Sequence, residues 1–327
     1  MTSITLNIDS NSYPIHITNH IFEHLTTSTK EDYLLLIDDY FSSSEVKKYT
    51  ANLPIKHVIR LKAGETLKSL ENYQNVLQEM LEKQFTKNTT IIAVGGGTIG
   101  DFAGFIAATY QRGISYIQVP TTLLAMVDAS IGGKTALNLH AIKNVLGAFH
   151  QPTAVYINTD YLNTLPQIQL SNGYAEIIKM AMIKDKTLLE DLKTNTHIST
   201  IIKKALFIKK AIVEKDPYDS AERKLLNYGH TIGHALESYH SYKILHGFCV
   251  AKGIKQMIKG KAFEEEIVSL FKRYHLNEEI SYDKDKLYNF ILHDKKRQQS
   301  TITLAIVETL GEGKLVSIPI EAIKTYL

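Results

Sequence analysis

Thr89-Thr90-Ile91-Ile92-Ala93-Val94 is a β-branched, apolar run that leads directly into Gly95-Gly96-Gly97-Thr98-Ile99-Gly100-Asp101 and then into Phe102–Tyr110, an apolar segment of helix length. A short run of this composition reads as a buried strand. Strand, glycine turn and helix in that order bring backbone N–H groups to a phosphate at a helix N-terminus. Gly95, Gly97 and Gly100 also satisfy G-x-G-x-x-G. An ordinary tight turn satisfies that pattern as readily, so it decides nothing alone.

The neighbouring residues add weight. Ile114–Val119 is a second strand-like run, and it ends at Pro120-Thr121-Thr122. A second glycine turn, Gly132-Gly133, carries Lys134; nine residues later come Lys143 and Asn144, and Arg112 lies between the two strands. These groups are expected on loops beside the glycine turns. Cations and hydroxyls at this density point to a pyrophosphate and a second phosphate. Arginine is scarce elsewhere, with only Arg60, Arg223, Arg273 and Arg297 besides Arg112. A net charge of +3 gives no support for nucleic acid as a partner. Cys249 is the single cysteine, which fits a reducing cytoplasm. The first residues, MTSITLNIDSNSYPIHI, have no basic start or long apolar run, and no stretch approaches a membrane span.

Alternating residues 4–8 and 13–17, separated by Asp9-Ser10-Asn11-Ser12, predict an opening β-hairpin. Leu34–Ile37 reads as a buried strand ending at Asp38-Asp39. A carboxylate there can bind ribose hydroxyls or simply cap a helix, and the residues alone leave both open. His57–Leu61 is strand-like and leads to Ala63-Gly64-Glu65-Thr66-Leu67-Lys68; a helix follows with Leu70, Tyr73, Leu77, Met80 and Leu81 on one face. Ala154–Ile157 adds a strand. Strands alternating with helices predict an α/β domain with a Rossmann-like, mostly parallel sheet. An ordinary dinucleotide fingerprint expects an acid about 20 residues past the glycines. That position falls at Val119–Thr122, where there is none. Near Leu165-Pro166 the pattern becomes helical (Ile177–Ile183, Ile201–Val213, Ile267–Tyr274), with a late β-like run at Thr301–Val307. The expected division is an α/β domain over 1–165 and a mainly α-helical domain over 166–327.

The second half holds candidate metal ligands. His230 and His234 stand at i and i+4, on one face of a helix. Thr231 follows His230, so the H-E-x-x-H arrangement with its glutamate base is absent. Glu176 and Lys179 stand at i and i+3, and His246 opens a further helical segment. Two imidazoles and a carboxylate leave a zinc coordination position open, which is the catalytic pattern. Spacing does not decide which three of Glu176, His230, His234, Glu237 and His246 bind.

GGGTIGD, Tyr110-Gln111-Arg112-Gly113, VPTTLLAMVDASIGGKTALN and KN-x-x-GAFHQP, contiguous from about Val94 to Pro152, resemble the 3-dehydroquinate synthases of the sugar-phosphate cyclase superfamily. The Gly-Glu-x-x-Lys loop and the later Glu176 and His230 regions match as well. The resemblance implies a carbon–oxygen lyase of the shikimate pathway, which leads to chorismate and the aromatic amino acids. The implied reaction takes 3-deoxy-D-arabino-heptulosonate 7-phosphate to 3-dehydroquinate and phosphate. Its steps are oxidation, phosphate elimination, reduction, ring opening and an intramolecular aldol closure.

The resemblance also implies the site. NAD would be bound by Asp38, Glu65, Lys68, Gly96, Gly97, Thr98, Ile99, Gly100, Asp101, Thr121, Thr122, Lys134, Lys143, Tyr161, Leu162, Asn163 and Thr164. Zinc or cobalt would be held by Glu176, His230 and His246, with His234 handling a proton. Catalytic and substrate roles would fall to Arg112, Asp128, Lys134, Lys143, Asn144, Lys179, Lys209, Arg223 and Asn227, with Lys295 or Lys296. Arg223 and Asn227, four residues apart, are expected to point the same way on a helix. A cytoplasmic homodimer is implied, with Arg112 reaching the partner's site, and no nucleic acid or membrane. Alternatives are another sugar-phosphate cyclase, such as one making 2-deoxy-scyllo-inosose, and a metal-dependent polyol dehydrogenase. A catalytically dead NAD-binding or interaction protein is a third.

Overall fold

The opening alternation forms the expected hairpin. β1 (Thr2–Ile8) and β2 (Asn11–Ile17) pair antiparallel, with Ile4 opposite Ile15 and Leu6 opposite Tyr13, all four buried. The computed structural model describes residues 1–9, 11–25, 32–140, 142–294 and 300–327. They divide into two compact units, Met1–Leu165 and Pro166–Leu327.

The first unit continues with α1 (Ile21–His24), β3 (Asp32–Asp38), α2 (Ser43–Asn52), β4 (Ile55–Leu61) and α3 (Leu70–Glu82). Then come β5 (Thr89–Gly95), α4 (Gly97–Thr109), β6 (Ser115–Pro120), β7 (Lys134–Leu139), β8 (Ile142–Phe149) and β9 (Ala154–Ile157). Seven strands form one sheet in the order β1-β2-β9-β6-β5-β3-β4, parallel throughout except for the opening hairpin. β3 explains why its sequence is continuously apolar. Leu34 and Leu36 face a core shared with α3 and α4, while Tyr33, Leu35 and Ile37 face one built with α1 and α2. Strands covered by helices on both faces have no solvent side to mark with polar residues.

Two local expectations change. On α3 the buried stripe is Val76 and Met80, flanked by Tyr73 and Leu77, while Leu70 and Leu81 are exposed. Leu81 follows Met80 directly and so lies about 100° around a 3.6-residue helix from the buried face. The residues after Gly133 do not form loops. β7 and β8 form a separate antiparallel hairpin. His140 takes a positive φ of 53° there, so no glycine announces the turn.

The second unit contains α5 (Gln167–Lys184), α6 (Lys186–Lys193), α7 (Ile198–Lys215), α8 (His230–Tyr239), α9 (His246–Ile258), α10 (Glu264–Arg273) and α11 (Lys284–Asp294). It closes with an antiparallel pair, β10 (Thr301–Thr309) and β11 (Glu312–Pro319), followed by a 3-10 segment, Ile320–Tyr326. α5 is its axis. From Ser171 to Ile183 every residue but Tyr174 is buried, and α6, α7, α9 and β11 pack on it. A helix buried on all sides belongs at the centre of a layer. β11 was not expected, because its charged and small residues are half exposed and carry little apolar signal. Among the described residues no helix is long and apolar enough to cross a membrane.

α4 approaches β7 through Gly104. A Cβ there would collide with the Thr135 methyl and lie 3.2 Å from Tyr116 Oη. Gly104→Ala is expected to cost about 1–3 kcal/mol through overpacking. Chemical denaturation measures it, and an unchanged midpoint would show that β7 yields freely.

Candidate functional site

β3 and β5 are neighbours, with Ile37 opposite Val94, so Asp38 and Gly95 end side by side at the carboxyl edge of the sheet. From β3 the chain moves to β4 on one side; from β5 it moves to β6 on the other. The edge between β3 and β5 is therefore the topological switch point, where open α/β sheets bind ligands. A carboxylate thus stands at this edge on the earlier strand, although none lies about 20 residues past the glycines. Asp38 is not a helix cap. Ser42 caps α2, forming a reciprocal pair with Glu45. Asp38 Oδ1 instead accepts the Tyr40 N–H at 3.1 Å. Burial raises the carboxyl pKa; that hydrogen bond opposes the shift and the adjacent Asp39 adds to it.

α4 begins inside the glycine run, with Gly96 at its N-cap and no side-chain cap. The first-turn N–H groups of such a helix have no intrahelical partner and can face an anion. Ile99 is fully buried, so only its main chain is available at this edge. Leu162 is likewise buried. Thr121 and Thr122 follow β6, and Thr122 Oγ1 accepts the Ala125 N–H at 3.2 Å. That bond leads into a π-helical turn, Ala125–Ala129, containing Asp128. Tyr161, Leu162, Asn163 and Thr164 belong to a 3-10 turn after β9, anchored by a 2.6 Å contact between the Tyr161 and Tyr49 hydroxyls.

Glu65, Lys68, Asp101, Lys143 and Asn144 come together in one polar cluster. Lys68, only 2% exposed, donates to Asp101 Oδ2 at 2.6 Å and to Asn144 Oδ1. Burial raises the Asp101 pKa, and Lys68 partly offsets it. Lys143 Nζ lies 3.8 Å from Glu65 Oε2, and the Gly64 N–H donates to Thr98 Oγ1 at 3.2 Å. Lys134 is exposed at the start of β7, and Lys143 and Asn144 lie on β8.

In the second unit, Glu176 of α5 is fully buried. Lys179, one turn on, takes its Oε2. Oε1 has no hydrogen-bond partner and faces His230 Nε2 at 3.5 Å and His246 Nε2 at 3.4 Å. The other imidazole nitrogens are engaged: His230 Nδ1 with the Tyr228 carbonyl at 3.1 Å, and His246 Nδ1 with Glu237 Oε2 at 3.2 Å. Ligand atoms around a tetrahedral ion with bonds of about 2.0–2.2 Å lie about 3.4 Å apart. Both carboxylate–imidazole separations match that spacing and all three donor atoms lie within 4.8 Å of one another, a set suited to a zinc-like ion with both imidazoles oriented by outer partners. Burial and Lys179 hold the His230 pKa well below its ordinary value. For His246 burial acts the same way, but the Glu176 and Glu237 carboxylates prevail and push it up to about 10. Burial would raise Glu176, yet Lys179 and the two histidines keep it well below the usual carboxylate range.

The main chain sets this approach. Gly229, at φ 78°, turns the chain into His230 and packs against Ile254 and Val250 of α9. The Gly247 N–H donates to Asn172 Oδ1 at 2.6 Å, and a Cβ on Gly247 would overlap the Asn172 carbonyl of α5. His234, at 45% side-chain exposure, has Nε2 4.0 Å from Glu237 Oε2 and its ring centroid 5.2 Å from that of His230 and 5.8 Å from that of His246; with Glu237 and His246 it forms a second, more exposed candidate donor set.

Lys179, Lys209 and Arg223 are buried cations of this unit, and Asn227 is half buried. Arg223 and Asn227 lie in a 3-10 turn, Glu222–Asn227, not an α-helix. At three residues per turn, positions four apart differ by about a third of a turn, so the two side chains do not share a face. Arg112 is exposed and precedes β6, at the amino end of the sheet rather than beside Gly95. Lys295 and Lys296 lie outside the described residues.

Two family models match: the N-terminal model of 3-dehydroquinate synthase over residues 58–172 and the C-terminal one over 173–297. A 3-dehydroquinate synthase of Enterococcus faecalis is 40% identical, the alignment covering 83% of this chain and 80% of that protein. Another, from Thermoanaerobacter pseudethanolicus, is 36% identical over the full length of both. The chain belongs to the 3-dehydroquinate synthase family.

Solved structures agree on the fold. A 2-deoxy-scyllo-inosose synthase complexed with carbaglucose-6-phosphate, NAD+ and Co2+ matches with a TM-score of 0.87 at 24% identity, covering 99% of this chain and 98% of that one. The 2-epi-5-epi-valiolone synthase of Streptomyces hygroscopicus, with NAD+ and Zn2+ bound, matches at 0.85 with 21% identity, covering 98% and 97%.

For this member of the 3-dehydroquinate synthase family, the sequence does not single out two residues that shape the site, Asn138 and Asp216, and it offers Glu237 only as one of five possible metal ligands. Glu237 orients His246, and Asn138 joins the polar cluster. Asp216 organises the turn bearing Arg223, accepting N–H groups from Ser220 at 2.9 Å, Ala221 at 2.6 Å and Arg223 at 3.0 Å. Only Glu237 had a usable signal, its place one turn beyond His234.

Burial tends to raise the Asp216 pKa, but those N–H groups pull it down to about 2. A depressed carboxylate contributes stability above its unfolded value, about 3.9. The contribution is lost as pH falls through about 2. Asp216→Asn should cost about 1–3 kcal/mol near neutral pH. Urea denaturation should show the gap from wild type closing as the medium is acidified; a gap independent of pH would contradict this.

Proposed function

We propose that the protein converts 3-deoxy-D-arabino-heptulosonate 7-phosphate to 3-dehydroquinate and phosphate, using NAD and one divalent cation, zinc or cobalt. The observation that carries this reading is the orphaned Glu176 Oε1 facing two oriented imidazoles at 3.5 and 3.4 Å in a chain of this family. When bound, the cation supplies Lewis acidity to a substrate hydroxyl and the nicotinamide supplies reversible hydride exchange.

The chain's own groups do the rest. Residues 1–165 form the NAD-binding domain. Asp38 takes ribose hydroxyls, the main chain of Gly96–Asp101 receives the pyrophosphate, and Thr121, Thr122 and Tyr161–Thr164 line the cofactor with Glu65 and Lys68. Residues 166–327 carry the metal through Glu176, His230 and His246, with Lys179 balancing the glutamate charge. Lys134, Lys143, Lys209 and Arg223 are the cations that hold the substrate phosphate and offset charge as it leaves. Asn144 and Asn227 add amide hydrogen bonds. Asp128 and the exposed His234 serve as polar and proton-handling groups. Arg112, at the opposite edge of its own sheet, serves the partner subunit of a homodimer. The lone, buried Cys249 suits a cytoplasmic enzyme.

Supplied with NAD+ and Zn2+ or Co2+, the purified protein is expected to release phosphate from the heptulosonate phosphate without accumulating NADH. Steady NADH growth on a simple polyol, with no phosphate release, would identify a dehydrogenase instead; turnover of glucose 6-phosphate would identify a related cyclase. Glu237→Gln is expected to weaken Co2+ affinity about 10- to 100-fold. Titration followed by cobalt absorption measures it, and unchanged affinity would remove Glu237 from the support of the metal.

A further inference from the structure

The β7–β8 hairpin is irregular at one place. Leu137 pairs with Leu146 and Leu139 with Ile142, so β7 contributes a single residue, Asn138, opposite three on β8: Lys143, Asn144 and Val145. Bulges of this kind interrupt the ladder and re-aim side chains, often beside active sites. Asn144 sits in the bulge at φ 55°, in the left-handed region, which a strand residue adopts only when its surroundings hold it there.

Asn138 supplies that hold. Its Oδ1 accepts the Asn144 N–H at 2.9 Å. Its Nδ2 donates to Glu65 Oε2 at 2.9 Å and to the Glu65 carbonyl at 3.2 Å. Its own N–H donates to the Lys68 carbonyl at 2.7 Å. One amide side chain thus bridges the bulge to the Glu65–Lys68 turn, and Lys68 closes the circle by donating to Asn144 Oδ1.

We propose that Asn138 is a positioning residue: it locks the β8 bulge to the Glu65–Lys68 turn and thereby aims Lys143 and Asn144 at cofactor and substrate. The proposal rests on the functional reading above, which assigns Glu65, Lys68, Lys143 and Asn144 to binding.

Asn138→Ala removes the side-chain bonds and leaves the backbone bond to Lys68 in place. Hydrogen–deuterium exchange should show faster exchange across residues 142–149 but not across the rest of the sheet. Loss of these bonds should weaken NAD+ binding, measured by calorimetry, and lower kcat for phosphate release, each by about tenfold. Asn138→Asp keeps the acceptor for the Asn144 N–H and loses the donor to Glu65. It should restore slow exchange in the bulge while still binding NAD+ weakly, a separation that general loss of stability would not produce. If the alanine variant does not fold, the aspartate variant carries the test. Wild-type exchange in β8, with NAD+ affinity and kcat within about twofold of wild type, would overturn the proposal. A wild-type protein that neither binds NAD+ nor releases phosphate would sink the functional reading instead, while the exchange data would still judge the bulge.

Discussion

An ionised carboxylate without solvent is costly, by several kcal/mol unless its charge is matched. Glu176 is such a group, at 0% exposure in the middle of α5. From Ala175 to Ile183 the helix is otherwise apolar except for Lys179. Lys179, on the same helix, satisfies one oxygen, and the other is left for groups that α5 cannot itself provide. His230 begins α8 and His246 begins α9, so two more helices must deliver their first residues to a single oxygen atom. Gly229 and Gly247, each next to one of those histidines, permit the close helix contacts that make the delivery possible.

Buried cations follow the same logic. Lys68, Lys179, Lys209 and Arg223 are each at most 4% exposed. Lysine and arginine are seldom buried without partners. Removing one partner from a buried pair is far more damaging than the pair is stabilising. A fold that keeps four such cations retains an arrangement that stability alone would not favour, which is where functional residues concentrate.

Much of this was legible in the chain. The buried strand before Gly95, the opening hairpin and the helical second half follow from periodicity, because each depends on neighbours in sequence. Asp38 was legible only as one of two possibilities; the pairing of Ile37 with Val94 decided where it lies. The β7–β8 hairpin was not legible, since its turn has no glycine and its bulge breaks alternation at Asn138. Nor were the roles of Asn138, Glu237 and Asp216. Asn138 takes its meaning from groups brought to it from far along the chain, and Asp216 and Glu237 take theirs from irregular turns whose course spacing does not show. The turn holding Arg223 and Asn227 misled for a related reason: a spacing of four implies a shared face only on an α-helix.

The glycine contacts have a further consequence, for the kind of ion the three donors would suit. α8 and α9 meet through Gly229, Gly233 and Gly253, where no side chain fits, and Gly247 rests on the main chain of α5. Spacing set by main-chain contact cannot breathe as spacing set by flexible side chains can. Calcium takes about six to eight ligands, nearly all of them oxygens, and a set of three donors with two imidazole nitrogens cannot supply that shell. The helix backbones thus hold two nitrogens and one oxygen at a spacing that side-chain motion cannot loosen, a donor set suited to a zinc-like ion and poor for calcium.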